Sequence, residues 1–433
     1  MSGELEIDHG GAIAVDTEQL RAVAARVAAL ATPFEEARAA VRRALDVIVC
    51  TLSLAEEVGT DVLFGSVARI DRLRADAEAA GVNTLLMADA FEVIELRAEA
   101  RALALTDEAA AAAVLARVDG MLASDPRLQL VVDQLIARWA WERFEGLGTQ
   151  WNMSGLLPPI FLLGPIIGMF AGVGVVQPGT TLKGLADPVT LESVRTSTPA
   201  GGPTTLRGSL ERMPKDPTAQ VAVEKLTFAD GSTKFMVYLK GTQNFAPQDA
   251  GGPEPWDMKS NTELYSGENS ASYQAVLDAL AAAGAGADDA VGVVAHSQSG
   301  MIAAHLAVES EFDVEFVVAV GSPKIPMLGE DQLLVQISHT DDVVASLADG
   351  GSPAGSGSPN SFVATRVGDP SPGPQDILLA PHRWEPYLET ASMIDESEDP
   401  RAVALGSYLG TLGEAVSVER TEYHAERKDR SRE

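Results

Sequence analysis

The sequence predicts an α/β domain, built on a mostly parallel sheet with helices on both faces and preceded by an all-α helical bundle. Three observations carry this expectation. The chain has 433 residues, 46% of them hydrophobic and 22% charged, a globular composition with room for two or three domains at roughly 100–200 residues each. Composition changes near residue 150, from Ala, Leu, Val, Arg and Glu at helical spacing to Gly, Pro and apolar strand-like runs. From about residue 181, short apolar strands alternate with helices, the pattern of a parallel sheet covered on both faces. The expected divisions are a helical bundle over 1–150, an apolar Gly/Pro connector over 151–182, the α/β domain over 183–418 and a charged tail over 419–433.

In the helical region, Asp16 with Gln19 three residues on forms a start resembling a capping box. Leu20, Val23, Val27, Leu30 and Phe34 then repeat every three or four residues, one apolar face of an amphipathic helix. Similar faces run over 52–77 (Leu54, Val58, Val62, Val67, Ile70), 84–105 and 107–122. Asp125-Pro126 announces a last helix with proline in its first turn, carrying Leu130, Val131, Leu135, Ile136 and Trp139. Such helices with short connections read as an antiparallel bundle, a packing or partner-docking domain without a polar constellation for chemistry.

Residues 153–182 hold no charge, and 156–176 is almost wholly apolar. At ~20 residues this is long enough to span a bilayer. Pro158, Pro159, Pro165 and four glycines interrupt a helix there, and the basic flank is thin. A buried or interdomain segment is therefore preferred, with membrane or lipid contact through 155–176 as the alternative.

The α/β elements follow in order. Residues 197–218 are rich in turn formers. Strands over 221–228 and 234–239 flank Asp230-Gly231, a hairpin signature. A long loop, 243–270, precedes a helix over 272–283 that stops at Gly284. Then come a strand at 291–295, a helix at 301–308, strands at 314–320, 333–337 and 362–367, and a helix at 384–394. Residues 351–360 read as a flexible surface loop, and the tail from Glu419, dense in both charge signs, as solvated.

Charge narrows the function classes. There are 62 acidic and 32 basic groups, a net charge of −30, a field that repels phosphate backbones and disfavours nucleic acid as a partner. The single cysteine, Cys50, forbids an intramolecular disulfide and a thiolate cluster for zinc. No signal peptide is read in the first 30 residues, and the localisation stays open.

The most informative segment is Val291-Gly-Val-Val-Ala-His-Ser-Gln-Ser-Gly300, an apolar strand running through a tight turn directly into a helix. In such a nucleophile elbow the serine sits on a strained turn above the carboxyl edge of the sheet. The residues two before and two after it must be small. Ser297 satisfies this with Ala295 and Ser299, whereas Ser299 would require Met301 to fit. A serine that merely caps the helix is the alternative. A serine nucleophile needs a histidine base and an orienting carboxylate, here in the order Ser, acid, His. Asp341 and Asp342 both follow the strand at 333–337, and spacing alone leaves them open. Among six histidines, His9 lies far outside the α/β region, His296 beside the nucleophile is expected to be structural, and His305 runs into the packed layer. His339 precedes the acid and is expected to pack or hydrogen-bond at the strand end, and His424 lies in the tail. His382, after the last strand and before a helix, is the expected base. The oxyanion donors are the N–H of Gln298 and that of Thr242, in the Gly241 turn after the hairpin.

Together these motifs resemble a known family. Met236-Val-Tyr-Leu-Lys-Gly-Thr242, Val294-Ala-His-Ser-Gln-Ser-Gly300, Val320-Gly-Ser-Pro323 and His339-Thr-Asp-Asp-Val-Val344 stand in the order and spacing of α/β-hydrolases. They are most similar to the fungal-type (class 3) lipase branch and its actinobacterial relatives, over roughly residues 219–395. In that branch the acid lies in Asp-x-Val-Pro-x-Leu, which Asp342-Val-Val344-Ala-Ser-Leu347 matches with alanine for proline, so the resemblance favours Asp342 over Asp341. The family's elbow usually carries glycine where this chain has Ala295 and Ser299. The helical region has a weaker similarity to secretion-associated helical proteins of actinobacteria. The resemblance implies a serine hydrolase for carboxylic esters, an esterase or lipase, with catalytic Ser297, His382 and Asp342, no cofactor and no metal. Its substrate would be a small-molecule ester or a lipid, with Phe245, Trp256 and Tyr265 of loop 243–270 as lid or acyl-pocket wall. The alternatives are a thioesterase or peptidase using the same triad, and a catalytically silent binding protein.

Overall fold

Residues 4–8, 17–51, 60–103, 108–142, 174–287, 289–348, 356–369 and 379–428, with Leu54 and Val58, are described in the computed structural model of the chain. They fall into two units, Val15–Ile136 and the pair Met1–Ala14 with Ala137–Glu433.

The first unit is helical: α1 (Thr17–Ala29), α2 (Ala31–Cys50), α3 (Asp61–Leu103), α4 (Glu108–Ser124) and the start of α5 (Arg127–Glu142). Two boundaries differ from expectation. The first predicted face breaks at Leu30, because Pro33 has no N–H to donate and is tolerated only in the first turn of a new helix. The two helices expected on either side of Gly81 are one continuous α3. Gly81 is a packing position: a Cβ there would stand 3.3 Å from Ala24 O and Ala28 Cβ of α1, so contact between helices outweighs the glycine's low propensity. The apolar face expected over 54–70 is only partly covered, with Val62 76% exposed, and the core lies further along α3 at Ala90, Phe91, Val93 and Ile94.

The second unit is mixed α/β. Its strands are β1 (Glu6–Asp8), β2 (Val175–Val176), β3 (Val189–Ser197), β4 (Val221–Thr227), β5 (Thr233–Leu239), β6 (Ala290–His296), β7 (Asp313–Val320), β8 (Ile325–Pro326), β9 (Leu333–His339), β10 (Phe362–Arg366) and β11 (Ser417–Arg427). Its further helices are α6 (Leu206–Leu210), α7 (Met258–Tyr265), α8 (Ala271–Ala282), α9 (Gln298–Glu309), α10 (Trp384–Asp395) and α11 (Pro400–Gly413). The sheet order is β1-β10-β9-β7-β6-β5-β4-β11-β3. Strands β10, β9, β7, β6 and β5 run parallel, and the flanking pairs are antiparallel.

Period-two alternation sends the two faces of each strand into separate cores. Val237, Val293 and Val317 pack with α7, α8 and α9. Tyr238, Val294 and Val318 pack with α6, α10 and α11. The sheet is thus covered on both sides, as expected. The hairpin turns at Gly231 with φ +86°, and Ser270 caps α8 through the Tyr273 N–H.

Several expectations are corrected here. The division expected at residue 150 falls at 136/137, and residues 6–8 pair with β10 as an edge strand. The tail 419–433 is not solvated over its described part. Residues of β11 lie between β4 and β3, and their charges are neutralised in pairs. Arg420 donates to Glu224 at 2.9 Å and to Glu422 at 2.9 Å, while Arg212 donates to Glu224 at 2.6 Å. Buried ions are tolerable when so paired and hydrogen-bonded. Strand β3 and helix α11 were not anticipated. The loop 243–270 contains α7 and a short 3-10 turn, Pro247–Asp249. Of the apolar connector, residues 151–173 lie outside the described residues, as do 351–355 of the expected surface loop. Val175 and Val176 pair with Ile325 and Pro326. Among the described residues, no helix is long and apolar enough to cross a membrane.

Candidate active site

Strand β6 ends at His296 and α9 begins at Gln298, so Ser297 alone makes the turn. It does so at φ 54° and ψ −125°, a conformation costing a non-glycine residue roughly 1–3 kcal/mol and found mostly at functional sites. The Ser297 N–H donates to Val320 O at 2.8 Å, which ties the turn to the end of β7. Its hydroxyl makes no capping bond to α9, so a merely capping role is ruled out. Instead Oγ lies 2.8 Å from His382 Nε2, and His382 Nδ1 lies 2.6 Å from Asp342 Oδ2. Ser297, His382 and Asp342 are 4%, 4% and 1% exposed. A carboxylate can only accept, so His382 donates from Nδ1 and its Nε2 accepts from the Ser297 hydroxyl.

The choice between the two aspartates is made by their partners. Asp341 turns away and accepts the N–H groups of Gly368 and Asp369 at 2.7 and 2.8 Å. Burial pushes its carboxyl up from the ordinary range. Asp342 accepts from His382, from Tyr387 Oη at 2.6 Å and from the Val344 N–H at 2.8 Å. Burial alone would raise its pKa, but those donors outweigh it and hold the carboxyl below its ordinary value.

The two expected oxyanion donors border the same turn. Among the described residues, neither the Thr242 N–H nor the Gln298 N–H has a backbone acceptor, and Gln298 opens α9, whose dipole favours negative charge there. The loop carrying Thr242 is fixed from several sides. Ser299 Oγ donates to Lys240 O at 2.6 Å and accepts from Trp256 Nε1 at 2.8 Å. Trp256 O accepts the N–H groups of Gln243 and Asn244 at 2.8 and 3.1 Å. Asn261 Nδ2 donates to Thr242 Oγ1 at 3.0 Å, leaving the Thr242 hydroxyl proton to point elsewhere. Gly241 must be glycine, because a Cβ would lie 2.9 Å from His296 Nδ1 and 3.0 Å from Ser297 Cβ.

A pocket of about 590 Å³ opens over these groups, lined by Ser297, His382 and Thr242 and walled by Met213, Phe245, Leu379 and Trp384. Of the three aromatics expected as lid or acyl wall, only Phe245, 54% exposed, lies there. Trp256 is fully buried beneath the elbow, and Tyr265 donates to Leu347 O at 3.0 Å.

Sequence reasoning singled out Ser297, His382, Asp342, Gln298 and Thr242, and the fold gathers all of them. It missed Tyr387 and Asn261. It gave His296 a structural role and expected His339 to pack or hydrogen-bond at the strand end, and His339 does hydrogen-bond there, to Pro381 O and Thr390 Oγ1. Tyr387 lies five residues after His382 on α10, a proximity that could have flagged it. His305 is buried in α9 as expected, its pKa lowered to about 4 by burial. His424 lies in β11 with Nδ1 at 2.8 Å from Thr218 O, not in a free tail. His9 lies outside the described residues. Among the described residues, no cluster of three or more His, Cys, Asp or Glu could hold a metal ion, and Cys50 is exposed.

Compared with known proteins, the chain matches no family model, no curated protein and no solved structure.

Proposed function

We propose that this chain is an α/β-hydrolase that cleaves carboxylic esters, an esterase or lipase, through Ser297, His382 and Asp342. The observation that carries the reading is the unbroken hydrogen-bonded relay from the Ser297 hydroxyl through His382 to Asp342, beginning on a strained turn between a strand and a helix. In the proposed reaction Ser297 Oγ attacks the acyl carbon while its proton passes to His382 Nε2. Asp342 keeps the imidazole in the productive tautomer and stabilises the imidazolium. The carbonyl oxygen becomes an oxyanion facing the N–H groups of Thr242 and Gln298, an arrangement in which one donor is typically worth ~10²–10³ in rate. Collapse of the intermediate breaks the bond to the alcohol, which leaves with the proton from His382. Water then attacks the acyl-enzyme, gives a proton to His382, and releases the acid and the free serine. This sequence calls for neither metal nor organic cofactor.

The apolar wall of Met213, Phe245, Leu379 and Trp384 supports an acyl chain in the pocket. For the helical unit the proposed role is docking to a protein partner, supported by exposed Val47, Val62 and Phe64. The test of the catalytic reading is hydrolysis of p-nitrophenyl esters from acetate to palmitate by wild type and Ser297→Ala, with fluorophosphonate labelling in parallel. The expected result is labelling and turnover by wild type and a loss of at least ~10³-fold in the variant. Folded wild type that neither labels nor turns over any ester would sink the reading in favour of a binding protein.

A further inference from the structure

His382 lies in the turn 379–382 that leads into α10. Among the described residues, the backbone hydrogen bonds of 379–382 stay within the turn: His382 N–H to Leu379 O at 3.2 Å, and Arg383 N–H to Ala380 O at 3.3 Å. No strand ladder holds it. Its two consecutive carbonyls go instead to two imidazoles from different strand ends. Pro381 O lies 2.7 Å from His339 Nδ1, at the end of β9. His382 O lies 3.1 Å from His296 Nε2, at the end of β6.

Because a carbonyl only accepts, each imidazole donates at that nitrogen. Both rings are themselves confined. His296 stacks on the His382 ring at 5.0 Å and 26° and lies under Gly241, whose Cβ would stand 2.9 Å from Nδ1. His339 stacks on Tyr387 at 3.9 Å and 5°, its Nε2 is 2.9 Å from Thr390 Oγ1, and a Cβ on Gly368 would overlap its Nδ1. Thr390 in turn accepts from Arg366 Nε at 2.7 Å. Burial lowers His296 to about 3 and His339 to about 4, so neither brings a second positive charge beside the imidazolium that forms during turnover.

We infer that His296 and His339 are positioning residues for the base: a pair of imidazole donors that grip the Pro381 and His382 carbonyls and thereby set the place of the His382 ring between Ser297 and Asp342. This rests on the proposed hydrolase reading. It gives function to two histidines beyond filling space, and it explains why two strand ends converge on one short loop. The hydrogen bonds of both imidazoles go to the backbone carbonyls of 381 and 382 and to Thr390, not to Ser297 Oγ or a His382 ring nitrogen. Although His296 also lines the pocket, the main effect is therefore on the fraction of molecules with the relay aligned, and hence on kcat more than on KM.

The test uses the full chain with two variants at each position. His296→Leu and His339→Leu remove the donors. His296→Gln and His339→Asn restore an amide N–H near Nε2 and Nδ1 respectively. Four quantities are measured: kcat and KM for p-nitrophenyl butyrate, the thermal midpoint, and the downfield proton resonance of the His382 Nδ1–H shared with Asp342. Each leucine variant is expected to lower kcat roughly 10- to 100-fold with KM within about 3-fold, and to broaden or abolish the resonance. The amide variants should recover most of both, whatever their thermal midpoints. Leucine variants that lose only stability, keeping kcat and the resonance, would overturn the inference. If wild type is inert toward every ester and toward fluorophosphonate, the hydrolase reading fails, and the resonance still decides the grip: its persistence in the leucine variants refutes it, and its loss with amide rescue supports it.

Discussion

Gly321 offers the sharpest perturbation of the candidate site, because it touches the base without contributing a functional group. It follows β7 at φ +56°, and a Cβ there would lie 2.9 Å from Tyr387 Oη and 3.1 Å from both Cε1 and Nδ1 of His382. Comfortable carbon contacts need about 3.5–4.0 Å, so Gly321→Ala pushes the imidazole back by roughly half an ångström. The relay has little slack for this, since His382 sits 2.8 Å from Ser297 and 2.6 Å from Asp342, and bonds weaken beyond ~3.2 Å. A misplacement of 1 Å can cost ~10²-fold, so half of that predicts about a 10-fold fall in kcat. The left-handed backbone adds ~1–2 kcal/mol of destabilisation for any residue with a Cβ. Gly231→Ala is the matched control, because Gly231 has φ +86° and nothing within 4 Å of its would-be Cβ. It should lose comparable stability in urea and keep its kcat. Ester hydrolysis and urea unfolding of both variants make the comparison, and an unchanged kcat in Gly321→Ala would refute the claim that this ring position governs turnover.

Three further outcomes follow from the same contacts. Asp342→Asn should lower kcat by roughly 10³–10⁴-fold by forcing the wrong imidazole tautomer, whereas Asp341→Asn, whose partners are the Gly368 and Asp369 N–H groups, should cost about 1–3 kcal/mol of stability with kcat retained; the reverse pattern would reassign the acid. Folding stability should fall as pH drops below the ordinary histidine value of ~6.5, because burial lowers His296 to about 3 and His305 and His339 to about 4. In that window the unfolded chain binds more protons than the folded one, which gives a slope of at most ~1.4 kcal/mol per pH unit for each histidine. His424, in which burial is outweighed by the bond to Thr218 O and by Glu426 so that its pKa is raised, opposes the trend within the window but is one histidine against three. The carboxylates raised by burial, Glu95, Glu254, Glu263, Glu309, Asp341 and Asp395, oppose it only as they take up protons. Urea midpoints at pH 7.5 and 5.5 check the sign, and equal midpoints would contradict it. Finally, Glu224→Ala should destabilise by ~3–5 kcal/mol, leaving Arg420 and Arg212 without their shared carboxylate; a near-wild-type midpoint would mean that β11 does not depend on that pairing.

The residues gathered at the candidate site were legible by three routes: local geometry for Ser297, the family resemblance for the choice of Asp342 over Asp341, and elimination for His382. A strand, one turn residue and a helix leave few positions for the serine, and small neighbours at 295 and 299 select Ser297 over Ser299. The aspartate follows a strand end, and the scarcity of histidine left His382 by elimination. What escaped was held by tertiary contact alone. Strand β11 carries charges that a window of sequence reads as solvated, and nothing near Arg420 in the chain announces that Glu224, nearly two hundred residues earlier, will stand opposite it in register. The long helix α3 likewise runs through Gly81 because α1 packs there.

The same distinction bears on His296 and His339, which read in sequence as structural, His296 because it sits beside the nucleophile and His339 because it precedes the acid. Their partners are backbone carbonyls of a loop some forty to ninety residues away, and a carbonyl has no sequence identity to read. A supporting residue that acts through the backbone is therefore nearly invisible in a single sequence, while a residue that acts through another side chain leaves at least a residue type to search for. By that reasoning Tyr387, which reaches the Asp342 side chain, should be easier to anticipate in other chains than either histidine. The support of such a site is thus best sought among buried imidazoles and hydroxyls whose acceptors are the carbonyls flanking the base.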